Sequence, residues 1–162
     1  MRFFGWIKSL YSKDLDEEVI EEVAREYRIS PNELKKEIRG VNILPLPFIS
    51  YAKKIGNKVY KKIGKVLGAY NPLRKEIYID LWVYLQKVFG NLKPYVKTFA
   101  EEVCHAAQKY LGRLKPRSFS DYLENYENDE NEREAKEKAE KVTRRMLSKY
   151  GRYNFYSLLS LF

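Results

Sequence analysis

The stretch TFAEEVCHAAQKYLG, residues 98–112, decides both the fold and the candidate chemistry of this chain. It belongs to a segment that begins at Pro94, a residue favoured in the first turn of a helix, and stops at Gly112, a residue favoured just past a helix end. Between them apolar residues recur every three or four positions, which predicts one long amphipathic helix over residues 94–111. His105, the only histidine in the protein, lies on the polar side of that helix.

Two carboxylates precede His105 at a spacing that suits metal chemistry. Glu101 lies four residues earlier, so its side chain and the imidazole reach the same point above the helix. Glu102 lies beside Glu101, rotated by about 100° around the helix axis. Two ligands one turn apart can hold a metal ion while the neighbouring carboxylate takes a proton from a bound water. The same Glu–His spacing also occurs as an ordinary surface pair, worth about 0.3 kcal/mol.

A second helix offers a further carboxylate. After the linker LKPRSFS, residues 114–120, a highly charged segment carries inward-type residues at intervals of 3, 4, 3 and 4, namely Glu132, Ala135, Ala139, Val142 and Met146. This spacing predicts a helix with Glu132 on its buried stripe. A buried carboxylate among small residues needs a partner, and the pair of Glu101 and His105 is the candidate.

Together these motifs resemble those of small gluzincin metallopeptidases, the minigluzincins. That family carries HExxH on its active-site helix, often followed by two small residues and Gln, and a Glu-x-x-Ala motif on the next helix. The matching text here is EEVCHAAQ and EREAKEKA. The segment GAYNPLRKEIYID, residues 68–80, resembles the family's cleft-rim strand, which pairs with extended substrate. The resemblance covers residues 41–147. It implies an α+β, zincin-like domain with a small mixed sheet, an active-site helix and a third-ligand helix.

The resemblance also implies a role for each motif residue. Glu102 matches the general base, His105 and Glu132 match two zinc ligands, and Glu101 stands where the family has its first histidine. A set with two carboxylates neutralises a divalent ion and shifts preference from zinc towards manganese, iron or magnesium. Three outcomes stay open: a weakened zinc site, a site for another metal, or a metal-free scaffold whose ligand residues share a proton. The Tyr126 hydroxyl could contact a tetrahedral intermediate, although packing is its default explanation.

The implied activity is hydrolysis of peptide bonds in a peptide or protein substrate by a metal-activated water. The leading alternative is a catalytically inactive peptidase fold that serves as a binding module. Other catalytic patterns are missing from the sequence: it has no GxSxG elbow, no Walker loop and no dinucleotide fingerprint. Cys104 and His105 are adjacent on a helix and point about 100° apart, so that a cysteine–histidine dyad is disfavoured.

Residues 1–40 are predicted to form a helical hairpin in front of the metallopeptidase-like domain, residues 41–150. The first helix buries the apolar stripe Val19, Ile20, Val23, Ala24 and Tyr27, with Asp14 or Asp16 as its cap. In the second helix, Ser30 and Glu33 are expected to form a capping box, and Gly40 to end the helix.

This hairpin also resembles a helix-turn-helix, which makes DNA binding through Lys35, Lys36 and Arg39 a third hypothesis. Residues 14–39 hold nine acidic and five basic residues, however, and this net negative charge disfavours contact with phosphates.

The middle of the chain is less clear in the sequence. VNILPLPFI, residues 41–49, reads as a buried strand that Pro45 and Pro47 interrupt. YAKKIGNKVYKKIGKVLG, residues 51–68, places apolar residues at helical spacing opposite lysines, although two glycines weaken a helix there. Such a basic stretch can bind a membrane surface or nucleic acid, but a solvated lysine face is the commoner explanation. A turn at Asn71-Pro72, a strand with two inward isoleucines and a helix over residues 81–89 complete the prediction.

Charge and composition bound the remaining expectations. The net charge of +9 is divided into blocks: residues 52–75 hold eight bases and no acid, and residues 118–140 hold nine acids against three bases. One cysteine excludes an intramolecular disulfide, and no apolar run spans a bilayer, so a cytoplasmic protein is expected. Abundant Lys, Glu and Tyr are typical of proteins from hot environments. The apolar segment 151–162 is expected to fold back on the domain or mediate self-association.

Overall fold

A computed structural model describes residues 13–114 and 129–150. In these residues it contains five helices and five strands, which confirms the predicted α+β class. The elements in chain order are α1 (Lys13–Tyr27), α2 (Pro31–Lys36), β1 (Gly40–Leu44), β2 (Phe48–Ile55), β3 (Lys58–Lys65), β4 (Gly68–Asn71), β5 (Glu76–Asp80), α3 (Leu81–Val88), α4 (Lys93–Tyr110) and α5 (Glu130–Tyr150). None of the described helices is long and apolar enough to cross a membrane.

The strands form a small mixed sheet and a separate ribbon. In the sheet the strand order is β1-β5-β4, with β5 in the centre, β1 parallel to it and β4 antiparallel to it. Ile77 of β5 lies opposite Val41 on one side and Tyr70 on the other. Both Ile77 and Ile79 are fully buried, as the alternation in β5 predicts. Among the described strands β4 is therefore an edge strand.

Helix α4 lies at the centre of the fold. It packs against α1, α3 and α5 and against strands β4 and β5. The predicted polar stripe on this helix is therefore not solvent-exposed: α5 and β4 cover it, and Thr98 and Gln108 are 6% and 0% exposed. Tyr110, which the spacing assigns to the apolar arc, is 41% exposed because it lies at the helix end. A helix that is buried nearly all round must satisfy its polar groups internally.

The N-terminal hairpin is present, and Ser30 is the N-cap residue of α2 as predicted, but the expected side-chain capping bonds at Ser30, Glu33 and Asp16 are not formed. Helix α1 buries the expected stripe, Val19, Ile20, Val23, Ala24 and Tyr27. Asp16 lies within this helix and accepts a hydrogen bond from the Tyr95 hydroxyl (2.9 Å) instead of capping. Ser30 occupies the cap position of α2 without a side-chain cap bond, and Glu33 pairs with Lys36 (2.9 Å). Helix α2 ends at Lys36, and Gly40 opens strand β1.

The basic stretch, whose helical spacing and two glycines leave the sequence ambiguous, is a β-hairpin formed by β2 and β3. Gly56 and Asn57 form its two-residue turn, in which Gly56 has a φ of +63°. Glycine at the first position with positive φ suits a type II′ hairpin turn, and the same glycine costs a helix about 1 kcal/mol. The predicted buried strand before it is also shorter and only half-buried, since β1 stops at Leu44, just before Pro45.

Asp80 joins the sheet to the next helix. It caps α3 by accepting a hydrogen bond from the backbone N–H of Trp82 (3.1 Å), and it accepts another from the N–H of Leu46 (2.9 Å). Although the alternation places Asp80 on the face opposite the two isoleucines, it is only 1% exposed because these bonds hold it inside. Helix α5 then packs along α4 with its predicted inward stripe buried, Glu132 included.

The backbone of β4 approaches helix α4 at Gly68. A Cβ atom added there would lie 2.6 Å from Cγ2 of Thr98 and 3.1 Å from Cγ and Oε1 of Glu102. The short, branched side chain of Thr98 cannot move away, so the strand itself would have to shift.

We predict that Gly68→Ala lowers the free energy of unfolding by about 1–3 kcal/mol, because overpacking separates β4 from α4. Urea denaturation measures the change. Gly40→Ala is the matched control, since a Cβ atom at that position meets nothing within 4 Å. Equal losses in the two variants would show that the contact at Gly68 is not tight.

Candidate functional site

The site forms where α4 meets the first turn of α5. The His105 Nε2 atom lies 3.3 Å from Oε1 of Glu132, and the two side chains are only 13% and 7% exposed. Asp129 fixes this first turn because its carboxylate accepts hydrogen bonds from the backbone N–H groups of Asn131 (2.8 Å) and Glu132 (3.2 Å). Two of the predicted ligand residues are thus brought together from different helices, 27 positions apart in the chain.

Gln108 fixes the orientation of the imidazole. Its Oε1 atom lies 2.9 Å from His105 Nδ1, while its Nε2 atom donates to the backbone carbonyl of Asn131 (2.8 Å) and to the Tyr27 hydroxyl (3.3 Å). A carbonyl oxygen only accepts hydrogen bonds, so the amide nitrogen of Gln108 must face Asn131 and its oxygen must face His105. The Nδ1 atom of His105 therefore carries a proton.

This arrangement requires a cation between His105 and Glu132. With a proton on Nδ1, a neutral ring would point its Nε2 lone pair at the Glu132 carboxylate, and the two would repel each other. Burial lowers the pKa of His105, but the hydrogen bond to Glu132 and the charges of Glu102 and Glu132 outweigh burial and raise it to about 9. At neutral pH the second proton supplies the positive charge.

A chain of polar groups extends from Gln108 to the surface. The Tyr27 hydroxyl accepts from Gln108 (3.3 Å) and lies near the Glu134 carboxylate. Glu134 in turn pairs with the guanidinium of Arg113 through two contacts, one of 3.1 Å between Nη1 and Oε1. This bidentate pair anchors the chain of groups that holds the imidazole.

Glu102 lies beneath the edge strand. Its side chain is 8% exposed and lies against the backbone of Gly68. Burial raises the pKa of its carboxyl to about 8, although the charge of His105 opposes the shift. No hydrogen bond joins this carboxylate to another residue in the described part of the chain. A carboxyl with a pKa near neutrality can both take and give a proton at physiological pH, which suits the predicted role in acid–base chemistry.

Glu101 completes the charge cluster but not a ligand set. Its side chain is partly exposed. Burial raises the pKa of its carboxyl above the ordinary value, and the nearby charge of Lys136 reduces this rise. Across residues 13–114 and 129–150, no three His, Cys, Asp or Glu side chains are arranged to hold a metal ion together. The distance between His105 Nε2 and Glu132 Oε1, 3.3 Å, suits two ligands of one ion, since two ligands of a tetrahedral zinc ion lie about 3.4 Å apart. The four carboxylate and imidazole groups therefore do not fit a three-ligand site in this arrangement.

The other candidate residues contribute less. Cys104 is buried, and burial raises the pKa of its thiol, which keeps it protonated. Tyr126 and the apolar segment 151–162 lie outside the described residues, as does the linker at 115–120. Sequence reasoning missed Gln108 as the partner of His105, although its position three residues later on the same stripe is a usable signal. It also missed the pair of Glu134 and Arg113, which only the tertiary fold brings together.

The comparisons with known proteins give no family for this chain. No protein-family model, no curated protein and no solved structure matches it. The function is therefore argued from the geometry of the described residues.

The two buried groups make stability fall as pH rises. Glu102 has a folded pKa of about 8 against 4.5 ordinarily, so between these values the folded state keeps a proton that the unfolded state releases. The stabilisation of the His105 imidazolium is complete below its ordinary pKa of 6.5 and is lost as pH rises towards 9. Both effects destabilise the fold in the alkaline direction.

We predict that the free energy of unfolding falls by up to about 6 kcal/mol between pH 6 and pH 9, with about half of the loss from each group. Glu102→Gln should flatten the part of the curve below pH 8, whereas Glu137→Gln, at an exposed site on α5, should leave the curve unchanged. Denaturant titrations at several pH values measure this. Stability that rises through this window, or an unchanged slope in Glu102→Gln, would contradict the assignment.

Proposed function

We propose that this chain is a metallopeptidase-like, zincin-like domain that binds an extended polypeptide strand along β4. The observation that carries the proposal is the close approach of β4 to Glu102 at Gly68. A strand that pairs with β4 lies directly beside the cluster of Glu101, Glu102, His105 and Glu132. Edge-strand pairing is a common mode of peptide recognition, in which main-chain hydrogen bonds supply affinity.

The hydrogen-bond pattern of β4 identifies the groups that such a peptide would contact. The N–H of Asp80 donates to the carbonyl of Leu67 (2.9 Å), so residues 67, 69 and 71 direct their backbone groups towards β5. The backbone N–H and C=O groups of Gly68 and Tyr70 then point towards the outer edge. The Tyr70 hydroxyl donates to the carbonyl of Glu37 (2.8 Å), which holds this side chain while leaving its main chain available.

The arrangement of the candidate ligands favours binding over hydrolysis. Among the described residues no three His, Cys, Asp or Glu side chains converge to hold a metal ion. The two ring nitrogens of His105 are instead engaged by protein groups, Nδ1 by Gln108 and Nε2 by Glu132. The cluster resembles a catalytic centre in which a proton occupies the position of the metal, which supports a peptidase fold that serves as a peptide-binding module.

Metal-assisted hydrolysis of a peptide bond is the second candidate function, and one observation favours it. A metal-bound histidine usually donates its other ring N–H to a fixed acceptor, and Gln108 is such an acceptor for His105. If zinc, manganese or iron displaced the proton from Nε2, His105 and Glu132 would hold the ion, with Glu101 and Glu102 as the further carboxylates of the cluster. A bound ion would polarise the peptide carbonyl and lower the pKa of a water. Glu102 would accept the proton of that water.

We predict that peptides bind at the outer edge of β4. Uniformly ¹⁵N-labelled protein is titrated with pools of acetylated octapeptides, and the strongest binder is resynthesised singly. The backbone amide resonances of Gly68 and Tyr70 should shift on binding, because these groups gain hydrogen-bond partners. Methylating the peptide nitrogens that face β4 should weaken binding about tenfold or more, since each removed bond contributes about 1 kcal/mol.

Methylation of the alternate peptide nitrogens, which face away from β4, is the matched control and should have little effect. Shifts confined to other elements, or equal losses from both methylated series, would contradict pairing with β4. Cleavage of the peptide during the titration, dependent on an added metal, would instead support the second candidate function.

A further inference from the structure

The ribbon of β2 and β3, residues 48–65, stands apart from the core. No other described helix or strand packs extensively against it. Its base is fixed, because the Lys65 ammonium donates to the carbonyl of Leu46 (2.6 Å) and pairs with Asp80 (3.1 Å). The N–H of Val66 also donates to the carbonyl of Pro47 (3.0 Å). The ribbon is thus held in place at its base, and it does not contribute to the hydrophobic core.

The ribbon is strongly basic. It contains six lysines and no acidic residue, and Lys65 is the one engaged at the base among the lysines whose side chains the structure describes. Lys58 and Lys61 are exposed, and neither is paired with a carboxylate of a described residue. The excess of positive charge fits a polyanionic partner.

The strand register places lysines on both faces of the ribbon. Lys61 lies opposite Ala52 on one face, while Lys58 lies opposite Ile55 on the other. Lys65 shares the face of Lys61, since the two lie four residues apart on β3. A flat anionic membrane favours a segment with charged and apolar residues on separate faces. A groove with phosphates along both walls favours charge on both faces, as is found here.

Exposed apolar side chains accompany the lysines. The exposed fractions are 57% for Ile55, 60% for Val59, 46% for Tyr60 and 78% for Ile63. Exposed apolar side chains are unfavourable in water, so a ribbon that only presented lysines to solvent would not require them. In a DNA groove they can contact sugars and thymine methyl groups, while the lysines contact phosphates.

From these observations we propose that the ribbon binds double-stranded DNA, with β2 and β3 lying in the major groove. That groove is about 12 Å wide and admits a two-stranded β-ribbon, whereas the deep groove of duplex RNA does not admit side chains in the same way. Most of the affinity comes from lysine–phosphate contacts, so binding is weakly dependent on sequence and strongly dependent on salt. This site is independent of the proposed peptide cleft.

The test is fluorescence anisotropy with a labelled 30-base-pair duplex of mixed sequence at several sodium chloride concentrations. With about five lysines in contact, the affinity should fall with a logarithmic salt slope of about −4 to −5. The variant Lys58→Gln, Lys61→Gln, Lys62→Gln should bind at least about tenfold more weakly and reduce the slope by about 3. The matched control is Lys35→Gln, Lys36→Gln, Arg39→Gln, which removes the same charge from the region of α2 and should change affinity by less than about twofold.

Circular dichroism and urea denaturation establish that each variant is folded, and Lys53→Gln with Lys54→Gln replaces the ribbon triple if that variant is unfolded. The proposal is overturned if the natural protein does not bind the duplex, or if both triple variants lose affinity equally. It is also overturned if a single-stranded oligonucleotide, or vesicles containing phosphatidylserine, bind more tightly than the duplex. Loss confined to the control variant would instead place DNA binding on the N-terminal hairpin.

Discussion

The orientation of one buried amide determines the chemistry of this protein. Gln108 must present its nitrogen to the Asn131 carbonyl, so its oxygen faces His105 and fixes a proton on Nδ1. The remaining ring nitrogen then faces the Glu132 carboxylate at 3.3 Å, and a cation is required between them. A proton or a metal ion can meet that requirement, and the choice separates a binding module from a hydrolase. The surrounding contacts serve this arrangement: Asp129 caps α5, and Tyr27 continues the polar chain.

The burial of α4 explains why the site is built from so many elements. Because helices and strands cover this helix nearly all round, its polar residues must find partners in the fold. Glu102 meets the backbone of β4, His105 meets α5, and Gln108 meets both α5 and α1. Tyr27 belongs to the N-terminal hairpin, so the hairpin contributes directly to the site. Removal of that hairpin would leave the Gln108 amide without one of its acceptors.

The sequence predicts best the elements in which the spacing of apolar residues marks one buried face. The inward stripes of α1 and α5, and the alternation in β5, follow from burial of one face, which is visible in the spacing. The order and spacing of the motifs also predict that His105 and Glu132 lie close together, as the fold shows. The ribbon stays ambiguous in the sequence because its apolar residues have helical spacing, while the turn at Gly56 favours a hairpin. Ser30 is the predicted N-cap residue, but its side chain makes no capping bond, and Asp16 accepts a hydrogen bond from Tyr95 instead of capping.

Other features of the site could not be read from the sequence. Spacing along α4 predicts that Glu101 and His105 share a face, but it does not predict whether three ligands converge. That depends on the relative placement of α4 and α5, and here only two ligands meet. The pairing of Glu134 with Arg113 also depends on the tertiary fold. The distribution of charge can be read from the sequence directly. Basic residues are concentrated in the ribbon, and acidic residues are concentrated in the segment that contains Glu132.

The most direct test uses the fact that His105 is the only histidine, so its ring nitrogens give unambiguous ¹⁵N resonances. These resonances would be recorded from pH 6 to pH 10, before and after addition of one equivalent of zinc. The account predicts a doubly protonated ring at pH 7, a titration midpoint near pH 9 and no response to zinc. A neutral ring at pH 7 would contradict the proton-sharing pair. Displacement of the Nε2 proton by zinc would show that the site accepts a metal and would support the hydrolase.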